Sequence, residues 1–130
     1  MMSQNTDPGV NAESSEAVRG GSVVMLSGDL MFASRVRAAA QSAGLTFHFG
    51  GSLPDADLED VRFVVLDLST RSGLISSIAG LCAERCPQAT LIAYGPHVHV
   101  DRLSAAKEAG IPHVMTNGQF NAQLSQLFVA

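Results

Sequence analysis

The sequence predicts a single α/β domain built on a parallel sheet of five strands. From Gly21 onwards, short apolar runs alternate with helical patterns, and this alternation places helices on both faces of a parallel sheet. The clearest strand is Phe63–Asp67, because it is wholly apolar until it ends in a carboxylate. The chain has 130 residues, which is enough for one domain. Five strands of this kind commonly take the order 2-1-3-4-5.

The boundaries of the elements follow from apolar periods and from capping residues. Residues 1–20 are rich in Ser, Asn, Glu and Gly without an apolar period, so we expect a disordered tail before a domain over residues 21–130. Asp29 or Ser27 can cap the first helix, and Gly44 can end it. The predicted strands are Ser22–Leu26, Leu45–Phe49, Arg62–Leu68, Ala89–Tyr94 and Pro112–Thr116. The predicted helices are Leu30–Ala43, Ser72–Arg85, Val100–Ala109 and Phe120–Phe128, with at best a short irregular helix in Ser52–Val61.

Composition limits the partners of the chain. Hydrophobic residues make up 46% of the sequence and charged residues 15%, and the net charge is −4. Binding of nucleic acid needs clustered Lys and Arg, whereas this chain has only eight such residues, and they are scattered. No apolar stretch reaches the length of a membrane span, and no signal peptide or cysteine framework is visible. We therefore expect a cytoplasmic protein whose partners are neither nucleic acid nor membrane.

Polar residues follow the first and third predicted strands. Ser27, Gly28 and Asp29 come after the first strand, and Asp67 ends the third. Parallel strands bring their carboxyl ends to one edge of the sheet, so these residues are expected to meet in one cleft. Asp29 and Asp67 are the candidate metal ligands of this cleft. The structural alternative is that Asp67 accepts hydrogen bonds from its loop and that Asp29 caps a helix.

Three pieces of sequence carry a resemblance to the receiver domains of bacterial response regulators. Val64–Leu68 resembles the strand that ends in the phospho-accepting Asp, which is Asp67 here. Ile92–Gly95 resembles the loop after the fourth strand, and Ala106–Gly118 resembles the family's closing run of helix, turn and fifth strand. The resemblance covers nearly all of the predicted domain. It implies the flavodoxin-like, receiver-type fold and a place in two-component signalling or a phosphorelay.

The same resemblance implies that most of the family's phosphorylation site is missing. The family places two acidic residues after the first strand, and the matching positions are Ser27 and Gly28, with Asp29 one residue later. The hydroxyl residue that contacts the phosphoryl group is matched by Ile92, and the lysine that pairs with it by Asn117. Phosphoryl transfer needs cations that neutralise the transferred group. The residues therefore predict weak or no Mg²⁺ binding and no phosphoryl transfer.

The predicted function is a stand-alone pseudo-receiver that acts through protein–protein contacts and is not an enzyme. The resemblance implies a sensor kinase or a regulatory protein as partner, bound by the last two helices and the strand between them. That face would contain Leu103, Lys107, Val114, Gln119, Gln123 and Leu127. Two alternatives stay open. One is an active receiver in which Asp67 is phosphorylated and Asp29 aids Mg²⁺ binding, and the other is a small-molecule-binding domain that uses the cleft.

Overall fold

The structure is a computed structural model that describes residues 20–128. The predicted tail, residues 1–20, lies outside the described residues except for Gly20. The strands are β1 (Ser22–Leu26), β2 (Thr46–Gly50), β3 (Val61–Asp67), β4 (Thr90–Gly95) and β5 (His113–Thr116). The helices are α1 (Leu30–Ser42), α2 (Ile78–Arg85), α3 (Val100–Glu108) and α4 (Asn117–Leu127), and a 3₁₀ turn spans Ser72–Leu74.

The strands form one sheet in the order β2-β1-β3-β4-β5, and each adjacent pair is parallel. This confirms the predicted order 2-1-3-4-5. Side chains alternate between the two faces of the sheet, so Val65 packs beneath α1 and α4 whereas Leu66 packs beneath α2 and α3. Both residues are fully buried. A strand that is covered on both faces needs apolar side chains throughout, which explains the unbroken apolar run before Asp67.

The connection between β2 and β3 contains no helix, although Leu53 and Leu58 are both buried. Two side chains hold it, one from the last residue of α2 and one from just after that helix. Arg85 donates a hydrogen bond to the carbonyl of Pro54, and Gln88 Nε2 donates to the carbonyl of Leu58 at 2.8 Å. The short irregular helix that the sequence allowed here is replaced by turns, because side chain to backbone bonds satisfy the carbonyls instead.

Two helices begin at residues other than the predicted ones. The predicted helix Ser72–Arg85 is a 3₁₀ turn followed by α2 from Ile78. The last helix begins at Asn117 and not at Phe120. Thr116 and its partner three residues later form a capping box: the Thr116 hydroxyl accepts the Gln119 N–H at 3.1 Å, and the Gln119 amide oxygen accepts the Thr116 N–H at 2.9 Å. Asn117 therefore lies in the first turn of a helix.

Candidate functional site

Asp67 lies at the carboxyl end of the central strand, as the sequence predicts, and only 1% of it is exposed. Four donors surround its carboxylate. Oδ1 accepts the Ser69 backbone N–H at 3.0 Å and the Ser69 hydroxyl at 2.7 Å. Oδ2 accepts the hydroxyls of Ser27 at 2.8 Å and Thr70 at 2.7 Å. A carboxylate has about four lone-pair positions, so these four donors occupy its acceptor capacity.

Two of the three hydroxyls that donate to Asp67, those of Ser27 and Thr70, are themselves held by backbone donors. The Asp29 N–H donates to Ser27 Oγ at 2.9 Å, and the Gly28 N–H donates to Thr70 Oγ1 at 2.9 Å. Each hydroxyl oxygen therefore accepts on one side and directs its proton towards Asp67 on the other. Chained hydrogen bonds of this kind polarise and strengthen one another. The β1–α1 loop and the β3–α2 loop are thus joined through one carboxylate.

Burial and hydrogen bonding act in opposite directions on Asp67. Burial raises the pKa of the carboxyl, because the charged form loses hydration. The hydrogen bonds from Thr70, Ser69 and Ser27 favour the charged form and outweigh burial, so the pKa of Asp67 lies below its ordinary value. Asp67 is therefore an ionised group that is stabilised by donors from within the fold.

Asp29, the second carboxylate near Asp67, is also hydrogen-bonded within the fold. Asp29 is the N-cap of α1, and its carboxylate accepts the Phe32 N–H at 3.0 Å. A Cβ at Gly28 would lie 3.5 Å from Thr70 Cβ and 3.7 Å from Arg71 Nη2, so a cationic side chain borders this position. Within residues 20–128, no three His, Cys, Asp or Glu side chains are grouped, although Mg²⁺ needs only one or two carboxylates and otherwise binds water and phosphate. Weak or absent Mg²⁺ binding stays a prediction, with Asp29 and Asp67 as the carboxylates to test.

The register of the sheet places Tyr94, and not Ile92, beside Asp67. Ile92 pairs with Val65 and is buried between the sheet and the helices α1 and α4. The residue that pairs with Asp67 is Tyr94. Residues two apart on a strand share a face, so the sequence pattern alone did not separate these positions. The side chain beside the carboxylate at the end of β4 is therefore a tyrosine, not an isoleucine.

Tyr94 is held by aromatic rings, while its hydroxyl has no hydrogen-bond partner among residues 20–128. Its ring stacks on Phe120 with centroids 4.4 Å apart and lies 5.3 Å from the ring of Phe32. Only 3% of Tyr94 is exposed, and the hydroxyl makes no hydrogen bond. Burial, followed by the charge of Asp67, raises the pKa of this hydroxyl. The nearby Ser27 hydroxyl lowers the pKa of Tyr94 in part, although no hydrogen bond of normal geometry joins the two hydroxyls.

A cavity of about 310 Å³ opens beside Tyr94 and brings Asp29, Asp67 and Asn117 together. Ile92 is not among the residues of its wall, and neither are Ser27 and Gly28. The remaining wall is formed by Phe32, Arg35, Ser69, Tyr94, Gly118 and Asn121.

The sequence analysis missed Ser69 and Thr70 as partners of Asp67. Two hydroxyl residues directly after the strand-end carboxylate were a usable signal, because Ser and Thr donate readily to nearby acceptors. Arg35 was also missed, and nothing in its surroundings in the sequence marked it.

Two apolar pairs are exposed at the same edge of the sheet. Leu30 and Met31 begin α1 and are 73% and 85% exposed, and Val98 and Val100 lie just before and at the start of α3 with 68% and 62% exposed. Both pairs follow the carboxyl ends of strands, so they flank the edge that carries Asp67. Within the described part of the chain, no helix has the length and apolar character needed to cross a bilayer.

The chain is similar to known proteins in structure, while comparisons of its sequence found no match. No protein-family model matches the chain, and no curated protein matches it at a significant level. The chain is similar to a solved beryllofluoride-activated NtrC4 receiver domain dimer, with 17% identity, a TM-score of 0.57 and coverage of 82% of this chain and 94% of that one. It is also similar to a response regulator from Thermotoga maritima, with 11% identity, a TM-score of 0.58 and coverage of 81% and 97%.

A third similar structure is the isolated receiver domain of RcsB from Salmonella enterica serovar Typhimurium in the apo form. It has 16% identity and a TM-score of 0.56, and the match covers 80% of this chain and 81% of that one. Similarity at these identities establishes the fold. The chain has the flavodoxin-like, receiver-type fold, as the sequence predicts.

Proposed function

We propose that this chain, with its receiver-type fold, is a signalling module that acts through protein contacts without phosphoryl transfer to Asp67. The observation that carries the proposal is the set of four donors, at 2.7 to 3.0 Å, on one buried carboxylate. A nucleophile must direct a free lone pair at phosphorus, in line with the leaving group. Asp67 would first have to lose one of these hydrogen bonds, which stabilise its charged form.

The charges around the cavity also oppose phosphoryl transfer. A phosphoryl group entering the cavity would meet the carboxylates of Asp29 and Asp67, while Asn117 supplies a neutral amide. Among the described residues, the one cationic side chain on the cavity wall is Arg35, which donates to Asn121 at 3.2 Å. Loss of a single group that stabilises the transition state in this way costs about 10²–10³ in rate. Several such losses together leave Asp67 a structural role.

The proposed partner is a protein, with a sensor kinase or a regulatory protein as the expected kind. Two surfaces are available for it. One consists of Leu30, Met31, Val98 and Val100 at the carboxyl edge of the sheet, where exposed apolar side chains favour a protein contact. The other is the face of α3, β5 and α4, in which Lys107 is exposed and Leu103 is half-buried. The module is proposed to work in the cytoplasm as a binding protein rather than an enzyme.

Treatment with acetyl phosphate and Mg²⁺, followed by intact mass measurement, tests the proposal. We expect the chain to stay unmodified, while a phosphorylatable receiver domain treated in parallel gains a phosphoryl group. Asp67→Asn serves as the matched variant. A gain of one phosphoryl group by the wild-type chain that is lost in Asp67→Asn would establish an active receiver instead.

One observation favours the active receiver as the second candidate, namely that Asp29, Asp67 and Asn117 line one cavity. In that case Asp29 would have to leave its capping bond to the Phe32 N–H in order to help hold Mg²⁺. Titration with Mg²⁺, followed by amide shifts, separates the candidates, because the active receiver requires a saturable response at Phe32 that Asp67→Asn abolishes.

A further inference from the structure

We infer that the cavity beside Tyr94 binds a small zwitterion of the amino-acid class. Its carboxylate would lie against the first turn of α4 and Arg35, and its ammonium group would lie against Asp29. The inference goes beyond the proposed function and does not depend on it. It starts from a cavity of about 310 Å³ that carries charged side chains of both signs on its wall.

The unpaired hydroxyl of Tyr94 indicates that the cavity binds a ligand. Tyr94 lines the cavity, is 3% exposed and makes no hydrogen bond through its hydroxyl. Buried hydroxyls nearly always have a partner, so this one requires an acceptor or donor from outside the fold. Tyr94 shares this wall with the polar side chains of Asp29, Asp67 and Asn117. A ligand in the cavity would supply the missing partner.

The anionic half of the ligand is matched by the start of α4. This helix has 11 residues, and Asn117 and Gly118 in its first turn line the cavity. The capping box engages the N–H of Gln119, while the first N–H groups of a helix have no acceptor within the helix. Apart from its chain neighbours and the backbone of its own helix, a Cβ at Gly118 would meet no described atom nearer than Thr116 Oγ1 at 4.0 Å, which leaves space for a carboxylate near the start of the helix. Arg35 adds a positive charge to the same wall.

The cationic half of the ligand is matched by Asp29. One of its carboxylate oxygens accepts the Phe32 N–H, and the other makes no hydrogen bond among the described residues. Asp67 already has four donors, so it contributes negative charge to the cavity without needing a further partner. A free phosphate would face both carboxylates, whereas a zwitterion places its ammonium group there. Charge complementarity therefore favours the amino-acid class over a simple anion.

Thermal unfolding of the full chain with each of the common L-amino acids at millimolar concentration tests the inference. We expect at least one of them to raise the unfolding temperature, because a ligand that binds the folded state stabilises it. For the amino acid that binds, the N-acetyl derivative and the α-amide each lack one charge, and neither should shift the temperature. Inorganic phosphate and acetate serve as anion controls and should have no effect.

Three variants locate the site. Tyr94→Phe and Arg35→Gln should each weaken binding about 2- to 10-fold, the loss expected for one hydrogen bond. Arg37→Gln is the matched control, because Arg37 lies on the same helix but sits 5.3 Å from the centroid of the Phe47 ring, outside the cavity wall. The inference is overturned if no amino acid binds, if phosphate or acetate binds as well, or if Arg37→Gln weakens binding as much as Arg35→Gln. None of these outcomes bears on phosphorylation of Asp67.

Discussion

Asp67 and Tyr94 are neighbours across β3 and β4, and both bury a polar group at the same edge of the sheet. Four donors surround the carboxylate of Asp67, whereas the hydroxyl of Tyr94 has no partner. A buried polar group stabilises a fold only when its hydrogen bonds are made. The comparison separates a carboxylate whose hydrogen bonds are made within the fold from an adjacent hydroxyl whose hydrogen bond is not.

Among the substitutions at this edge of the sheet, removal of the Asp67 carboxylate should change the free energy of unfolding most. Asp67→Ala should lower the free energy of unfolding by about 3 kcal/mol, because the buried Ser27 hydroxyl loses its charged acceptor. Urea denaturation followed by circular dichroism measures the loss. Asp67→Asn keeps one acceptor oxygen and should lose less. A loss below about 0.5 kcal/mol in Asp67→Ala would mean that the four hydrogen bonds contribute little.

Acid should remove part of the same stabilisation without any substitution. The pKa of Asp67 is lowered in the fold, since hydrogen bonds outweigh the opposing effect of burial. The folded state therefore binds the proton less readily than the unfolded state does. The contribution of Asp67 is present above the ordinary pKa of 3.8 and is lost as the pH falls through the lower, folded value.

The difference in urea stability between the wild-type chain and Asp67→Asn isolates this contribution. The difference should be constant between pH 7 and pH 5, and it should shrink as the pH falls below about 4. A difference that grows on acidification would reverse the sign and would mean that the fold raises the pKa of Asp67.

Substitution of Ser27 should have a smaller effect. Ser27 is 1% exposed, donates to Asp67 and accepts the Asp29 N–H. Ser27→Ala should lower the free energy of unfolding by about 1–2 kcal/mol, because one bond to a charged acceptor is lost. Ser34→Ala is the matched control, since the exposed Ser34 hydroxyl bonds only to the carbonyl of Met31 within its own helix. Equal losses in both variants would contradict the special role of Ser27.

Substitution of Tyr94 should have the smallest effect and the opposite sign. Tyr94→Phe keeps the ring that stacks on Phe120 and removes a buried hydroxyl without a partner. The free energy of unfolding of the ligand-free chain should rise by up to about 1 kcal/mol, because no unsatisfied group remains. Differential scanning calorimetry detects such a change as a higher unfolding temperature. A loss of more than about 1 kcal/mol would show that the hydroxyl does have a partner in the fold.

Much of the fold could be predicted because the ends of strands and helices depend on residues that are close together in the sequence. Apolar strands bounded by caps gave the strand order and placed Asp67 at its edge, and Asp29 is the helix cap that the sequence allowed. The predicted start of α4 at Phe120 was wrong. Phe120 is the first apolar residue of the helix, but the capping bonds of Thr116 make the helix begin at Asn117.

The site was less predictable because it depends on register between strands. Ile92 and Tyr94 share a face of β4, and only the pairing with β3 shows which of them meets Asp67. The hydroxyls of Ser27 and Thr70 lie on two loops that are 43 residues apart in the chain, and they converge on one carboxylate only after the sheet has formed. The hydrophobic periodicity of the sequence does not show that these two hydroxyls will bind the same carboxylate.

The carboxyl carbon of Asp67, followed by carbon-13 NMR during a pH titration with and without Mg²⁺, gives the most direct test that the carboxylate is occupied from within. We predict a titration midpoint below the ordinary value of 3.8 and no shift of the signal at millimolar Mg²⁺, because the four donors already fill the carboxylate. A midpoint at or above 3.8 would show that the four donors do not outweigh burial, and a saturable response to millimolar Mg²⁺ would show that Asp67 is open to a metal ion.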